Sequence, residues 1–185
     1  MKVDRAIKSR KSTRKFNSKK PDWKDVLECI DSMRYAPMAG GNFSLKFILV
    51  SDLQKISQLA EAAQQEFLKQ AKYVLVVCSK KARTINAYEE RGKIYARQQA
   101  GAAIENFLLK IEEKKLATCW VGHFVDSQIK RVLRIPEDVD VEALFPIGYE
   151  FEKRYTRRAK VDIDRILYFE EYDKNKMIEP KKLRT

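Results

Sequence analysis

The order of apolar and polar positions along the chain predicts alternating helices and strands. Short apolar runs at 47–50 and 73–78 predict two buried strands, and the runs near 117–121 and 142–149 predict two more. Apolar residues spaced three and four apart predict helices, which we place at about 2–9, 22–35, 52–71, 86–115 and 127–133. Helices and strands mixed in this order predict an α+β fold.

The predicted long helix at 86–115 has an unusual apolar pattern. Its middle, 100–103, consists of four small residues that allow a backbone or a flat ring to approach closely. Larger apolar residues surround most of its circumference: Ile94, Ile104, Phe107, Leu108 and Ile111. Because a helix that is apolar nearly all round must be buried, we expect it to form a subunit contact, most simply in a two-fold dimer.

Composition narrows the class of protein. The chain has 185 residues and 44% hydrophobic residues, which suits one folded domain over 1–185 and excludes disorder. It contains no apolar run of membrane-spanning length and starts without a signal sequence, so we expect a soluble cytoplasmic protein that has no membrane partner. Cys29, Cys78 and Cys119 lie far apart with His123 as the only histidine, which predicts buried free thiols and no metal site.

The net charge of +12 is concentrated at the two ends of the chain. Residues 1–20 carry nine Lys or Arg against one acid, residues 153–185 carry eleven against six, and the middle is close to neutral. This distribution predicts that both ends approach one polyanionic ligand. Only Phe16 and Tyr155 accompany the basic residues, whereas nucleic-acid grooves usually interleave aromatic and basic side chains, so we expect no nucleic-acid partner.

Two segments carry candidate binding chemistry in the first quarter of the chain. Residues 10–14 place three cations and two hydroxyls in five positions, and guanidinium groups grip phosphate oxygens through paired hydrogen bonds. Residues 36–42 form a loop with two glycines, which could lie against a planar ligand while Asn42 bonds to its polar atoms. The same loop also fits an ordinary helix end and turn.

Two further segments lie in the second half. Residues 117–124 predict a short strand that ends in glycine, so that the backbone N–H groups of Gly122 and His123 are available to a ligand. Residues 157–160 contain Arg158 and Lys160, which point the same way if the chain is extended.

These segments, in this order, resemble the FMN-dependent nitroreductase family, and the resemblance runs from about residue 5 to 172. Residues 10–14 resemble the Arg-x-Ser-x-basic motif that holds the FMN phosphate in that family. Residues 36–50 resemble its Ala-Pro-Ser-x-x-Asn loop and following strand, and 99–108 its central helix. Residues 115–122 resemble its Gly-Leu-Gly-x-x-Trp-x-Gly turn at the flavin N5 edge.

The end of the chain also resembles the family. Arg158 and Lys160 resemble the basic pair that closes over the phosphate, and 166–172 resemble an Ile-x-x-x-Glu-x-Tyr tail. Several positions depart from the pattern: Met38 stands where serine is common, Gln99 where an acid is frequent, and Phe43-Ser44-Leu45 where the family has Gln-Pro-Trp. The short connection between the second strand and the long helix implies that extra substrate-covering helices are missing.

The resemblance implies an enzyme that passes hydride from NAD(P)H through bound FMN to a small oxidised acceptor, such as a nitroaromatic or a quinone, by a ping-pong mechanism. It implies no essential catalytic side chain, since the cofactor carries the chemistry. It also implies a homodimer with a central antiparallel sheet flanked by helices, FMN at the subunit interface and residues 160–185 reaching toward the partner. The residues it assigns to FMN are Arg10, Lys11, Ser12, Arg14, Pro37, Met38, Ala39, Gly40, Asn42, Val121, Gly122, His123, Arg158 and Lys160.

The alternatives are an FMN protein of this fold with another role, such as dehalogenation, flavin fragmentation or sensing, and a basic nucleic-acid-binding module without flavin. The sequence leaves open the natural acceptor, the choice between NADH and NADPH, and a role for the His123 side chain.

Overall fold

The computed structural model describes residues 2–152 and 161–177. The chain divides into two compact units, Met1–Lys153 and Arg154–Thr185. The second unit contains a short 3-10 helix, Ile163–Arg165, where the Asp162 side chain accepts a hydrogen bond from the Asp164 amide at 3.3 Å. Within the part of the chain that the structure describes, no helix has the length and apolar character needed to cross a membrane.

The first unit is built on a four-stranded sheet in which neighbouring strands are antiparallel. The strands are β1 Leu45–Val50, β2 Tyr73–Ser79, β3 Ala117–Thr118 and β4 Asp140–Gly148. Their order across the sheet is β1-β2-β4-β3, so β1 and β3 form the opposite edges. The register pairs Leu45 with Ser79 at one end of the sheet and Thr118 with Ile147 toward the other.

Six α-helices accompany the sheet in the described part of the first unit: α1 Val3–Ser9, α2 Trp23–Asp31, α3 Leu53–Ala63, α4 Ala82–Tyr88, α5 Glu90–Glu113 and α6 Asp126–Leu133. Short 3-10 helices occupy Ser32–Tyr35, Ala39–Gly41 and Glu66–Gln70. Aspartate side chains begin two of the α-helices: Asp22 accepts from the Lys24 amide and Asp52 from the Lys55 amide, each at 2.9 Å.

The core has a layer on each face of the sheet. Helices α2 and α5 pack on one face and α3 and α6 on the other. The central strand β2 is buried along its whole length, which explains its unbroken apolar sequence. This architecture confirms the predicted α+β fold with an antiparallel sheet flanked by helices.

Three predicted helices are longer than the observed α-helices. The helix predicted at 52–71 ends at Ala63, because Gln64 adopts a left-handed conformation with φ 52°. The helix predicted at 86–115 is preceded by a separate helix, α4, and Glu89 with φ 51° divides the two. No glycine or proline marks either break in the sequence. A 3-10 turn also replaces the last part of the helix predicted at 22–35.

Four of the five large apolar residues of α5 lie in the core of the protomer: Ile104, Phe107, Leu108 and Ile111. The fifth, Ile94, is 53% exposed and lies on the outside of the protomer. Cys29, Cys78 and Cys119 are buried and unbridged, as the sequence predicted.

Candidate functional site

The basic segment at 10–14 lies against the edge of the sheet formed by β3. The Thr13 amide donates to the Thr118 carbonyl at 2.8 Å, and further along the Asn17 amide donates to the Tyr149 carbonyl at 3.0 Å. Phe16 pairs with Glu150 in an isolated bridge and is buried. These backbone contacts fix the segment beside the strand that the sequence singled out for its glycine turn.

The three cations of the segment differ in their partners. Lys11 forms an ion pair with Glu150 at 2.7 Å, so a carboxylate of the protein already balances much of its charge. Neither Arg10 nor Arg14 has an acidic partner among residues 2–152 and 161–177. Arg10 is half-buried and Arg14 is exposed, so both guanidinium groups are available to an anion.

Cys119 connects the basic segment to the glycine turn. Burial raises the pKa of the Cys119 thiol, while the Arg14 charge and a hydrogen bond with Ser12 act in the opposite direction. Side chains of the basic segment therefore lie close to the residue that directly follows β3. Cys119 is three residues before Gly122, and because an extended chain advances about 3.3 Å per residue, the Cα atoms of these two residues are at most about 10 Å apart.

The turn after β3 presents two unused backbone donors. Val121 pairs with Leu144 through two hydrogen bonds, of 3.0 Å from its amide and 2.9 Å to its carbonyl. The next two amides, of Gly122 and His123, have no acceptor in the described part of the chain, and both residues are exposed. Trp120 packs edge-on against Phe145 with ring centroids 5.7 Å apart, which anchors the turn to the core.

The loop at 36–42 is ordered by its own turn. Residues 39–41 form a 3-10 helix in which Gly40 and Gly41 have φ values of 54° and 69°, a region that favours glycine. The Asn42 amide closes the turn on the Ala39 carbonyl at 2.9 Å. Pro37 and Met38 are exposed, and the side-chain amide of Asn42 has no partner among the described residues.

Gln99 on α5 holds the end of this loop, a role that sequence reasoning missed. Its Oε1 accepts hydrogen bonds from the Ser44 amide at 2.9 Å and from the Ser44 hydroxyl at 2.7 Å, while its Nε2 donates to the Asn42 carbonyl at 3.3 Å. Gln99 and Ser44 are both buried. A glutamine at a core position of a helix is the signal that could have identified this contact.

Within one protomer the loop and the basic segment lie apart. The loop leads into β1 at one edge of the sheet, whereas the basic segment lies alongside β3 at the other edge. Three strand spacings of about 4.8 Å separate these edges by about 14 Å. The structure thus places residues 12–14 next to Thr118 and Cys119, shortly before the turn at 122–123, and it does not bring 37–42 to them in the same chain. Arg158 and Lys160 lie outside the described residues.

The donors of the described site suit a ligand with an anionic end and a polar ring. Arg14 and the Ser12 hydroxyl lie near Cys119, Arg10 precedes them in the same basic segment, and the two backbone amides follow Cys119 at positions 122 and 123. Such a set fits the phosphate and ring of a flavin mononucleotide.

The sequence and the fold of this chain are similar to those of known proteins. A sequence profile of the Nitroreductase family matches residues 7–67 and 60–149. A protein of Archaeoglobus fulgidus, whose name proposes an NADH dehydrogenase or NAD(P)H nitroreductase, is 25% identical over 86% of this chain and 93% of its own. An iodotyrosine deiodinase of Thermotoga neapolitana is 23% identical over 77% of this chain and 85% of its own. The solved structure of an FMN-dependent nitroreductase from Clostridium difficile R20291 superposes with a TM-score of 0.78, at 22% identity, over 90% of this chain and 98% of that one.

Proposed function

The chain belongs to the nitroreductase family, and we propose that it is an FMN-dependent oxidoreductase that uses NAD(P)H to reduce a small oxidised acceptor such as a nitroaromatic or a quinone. The observation that carries the proposal lies in two segments next to β3. Among residues 2–152 and 161–177, Arg10 and Arg14 have no acidic partner, and the amides of Gly122 and His123 have no acceptor. FMN, when bound, supplies the two-electron hydride chemistry that links donor and acceptor in turn.

Arg10, Ser12 and Arg14 bind the phosphate in this proposal. Lys11 contributes less direct attraction, because it is held by Glu150 at 2.7 Å, and it positions the segment instead. Arg158 and Lys160 would add cations from the other end of the chain, which accounts for the concentration of positive charge at both ends.

The amides of Gly122 and His123 act on the ring. Backbone donors are fixed in place before reaction, so hydrogen bonds that strengthen as negative charge develops stabilise the reduced state. We assign this effect to the His123 backbone and not to its imidazole. No side chain is required as an acid or a base, which agrees with a cofactor that carries the reaction.

A second copy of the chain completes the site. The loop at 37–42 and the residues at 10–14 lie at opposite edges of the sheet. In a two-fold dimer the loop of one protomer would therefore reach Arg10, Ser12 and Arg14 of its partner, which we call the phosphate cluster. Apolar side chains exposed near the loop and on α5 would be covered in the same contact, among them Ile94 at 53% exposure and Met38 at 38%. Residues 160–185 would extend toward the partner.

Reductive dehalogenation is the second candidate activity. It is favoured by the similarity to an iodotyrosine deiodinase over 77% of this chain. Both activities would use the same cofactor and the same hydrogen-bond donors of the site, so they differ only in the electron acceptor.

The purified protein tests the proposal directly. We expect flavin absorbance bands, release of FMN on denaturation, and bleaching of the bands by NADH or NADPH without oxygen. Reoxidation by a nitroaromatic or quinone would support the first activity, and reoxidation only by an iodinated phenol the second. A colourless protein that takes up no added FMN would contradict both.

A further inference from the structure

Helix α4 ends in a tyrosine that lies directly on the glycine loop. A Cβ atom built on Gly40 would lie 2.5 Å from the Tyr88 hydroxyl oxygen. The phenol can approach the loop this closely because position 40 carries no side chain. Tyr88 and the loop at 37–42 are therefore parts of one surface.

Packing fixes the position of Tyr88. Its ring meets Tyr95 of α5 edge-on, with centroids 5.2 Å apart and an interplanar angle of 82°. The two helices are also in backbone contact, since a Cβ on Gly92 would lie 2.4 Å from the Thr84 carbonyl oxygen. Residue 88 is thus held by α5 on one side and by the loop on the other.

The Tyr88 side chain still offers a surface to a ligand. It is 37% exposed, and its hydroxyl has no hydrogen-bond partner among the residues that the structure describes. The side-chain amide nitrogen of Asn42, which also has no partner among the described residues, is on the same loop, 3.5 Å from the position of a Gly40 Cβ. An aromatic ring and two unused polar groups therefore surround one glycine.

We propose that Tyr88 binds the acceptor, with its ring against a neutral planar aromatic molecule and its hydroxyl donating to a nitro or carbonyl oxygen. This assignment rests on the proposed function, in which the loop at 37–42 faces the FMN held by the partner protomer. Hydride addition places negative charge on that oxygen of the acceptor, so the hydrogen bond from Tyr88 strengthens as reduction proceeds. A quinone that takes up this hydride and one proton from water becomes the hydroquinone, whereas a nitro group that takes up the same two species breaks one N–O bond and loses water to give the nitroso product.

Tyr88→Phe and Tyr88→Leu separate the contributions of the hydroxyl and the ring. The probe is 4-nitrobenzamide, titrated by calorimetry into the oxidised FMN-loaded protein without NAD(P)H, so that binding is measured without turnover. Loss of one neutral hydrogen bond of about 0.5–1.5 kcal/mol predicts a Kd raised about 2- to 12-fold by Tyr88→Phe. Tyr88→Leu should raise it further, because the aromatic contact is also lost. Tyr35→Phe, at an exposed tyrosine, is the control.

FMN content distinguishes the two ways of failing. Both Tyr88 variants should retain as much FMN as the wild type, since Tyr88 is assigned to the acceptor. Loaded variants that bind the probe with the wild-type Kd would overturn the assignment and leave the proposed function intact. A wild-type protein that takes up no FMN would overturn the proposed function, and the assignment with it.

Discussion

Replacing Gln99 by leucine should destabilise the protein and loosen the loop at 37–42. The change keeps the approximate volume of the side chain but removes an acceptor and a donor from a buried position. The Ser44 amide and hydroxyl, which donate to Gln99 at 2.9 and 2.7 Å, would lose their common acceptor. The Asn42 carbonyl would also lose its donor at 3.3 Å.

The size of the effect follows from the Ser44 groups. A buried donor left without a partner costs about 1–3 kcal/mol, and the hydroxyl can rotate to reduce its share whereas the amide cannot. We therefore expect the free energy of unfolding to fall by about 2–4 kcal/mol. FMN affinity should also fall, because the loop that carries Asn42 loses its attachment to α5.

Urea unfolding at a fixed protomer concentration measures the stability, and FMN titration measures the affinity. Gln98→Leu is the matched control, since Gln98 is the neighbouring exposed residue of α5 and should change stability by less than about 0.5 kcal/mol. Gln99→Glu keeps an acceptor for Ser44 but buries a carboxylate. We therefore expect it to lower the free energy of unfolding by at least as much as an exposed substitution such as Gln98→Leu. Equal stability of the Gln99→Leu and Gln98→Leu variants would refute the argument.

Three further predictions concern charge, pH and packing. Arg10→Ala or Arg14→Ala should weaken FMN binding about 10- to 100-fold, measured by titration of the apoprotein, because each removes a charge-assisted hydrogen bond worth about 1.5–3 kcal/mol. Burial raises the pKa of the Cys29 thiol from 9.0 to about 12, so the unfolded chain loses this proton first and stability should decline as the pH rises from 9 toward 12. Cys29→Ala should flatten that decline in urea unfolding at several pH values. Gly92→Ala should lower the melting temperature, because its Cβ would lie 2.4 Å from a backbone oxygen of α4.

Each of these predictions has a distinct control. Arg5→Ala removes an exposed cation of α1 and should leave FMN affinity unchanged, so an equal loss in Arg5 and Arg14 variants would indicate a general charge effect. An unchanged alkaline slope in Cys29→Ala would assign the slope to other groups, such as Cys78, whose pKa burial raises to about 11. Gly101→Ala is the control for Gly92→Ala, since a Cβ at 101 would meet no atom within 4 Å.

The sheet and its order of elements were predictable from the sequence because the strands are apolar runs and the helices have a regular apolar face. The breaks at Gln64 and Glu89 were not, since both residues adopt positive φ without being glycine or asparagine. Gln64 is the left-handed C-cap of α3, and the turn at Glu89 brings α4 and α5 into backbone contact at Gly92.

The candidate site was predictable in its parts and less so in its arrangement. The residue types at 10–14 and the glycine at 122 indicated donors, and the structure bonds Thr13 to Thr118 of β3, four residues before Gly122. The ion pair of Lys11 with Glu150 and the contacts of Gln99 and Tyr88 with the loop link residues that are far apart in sequence. No local pattern indicates such pairings.

A hybrid dimer tests the central claim, that each FMN is bound between the phosphate cluster of one protomer and the loop of its partner. One subunit would carry Arg10→Ala with Arg14→Ala, and the other would carry Met38→Glu, a charge on an exposed residue of the loop. Coexpression with two affinity tags isolates the hybrid, and FMN per dimer is measured after denaturation. If each site is shared, the hybrid contains one site in which both the phosphate cluster and the partner's loop are unchanged, and one in which both are changed. The hybrid should therefore hold about one FMN per dimer, while both parent variants hold little. A hybrid that holds no more FMN than its parents would contradict the account.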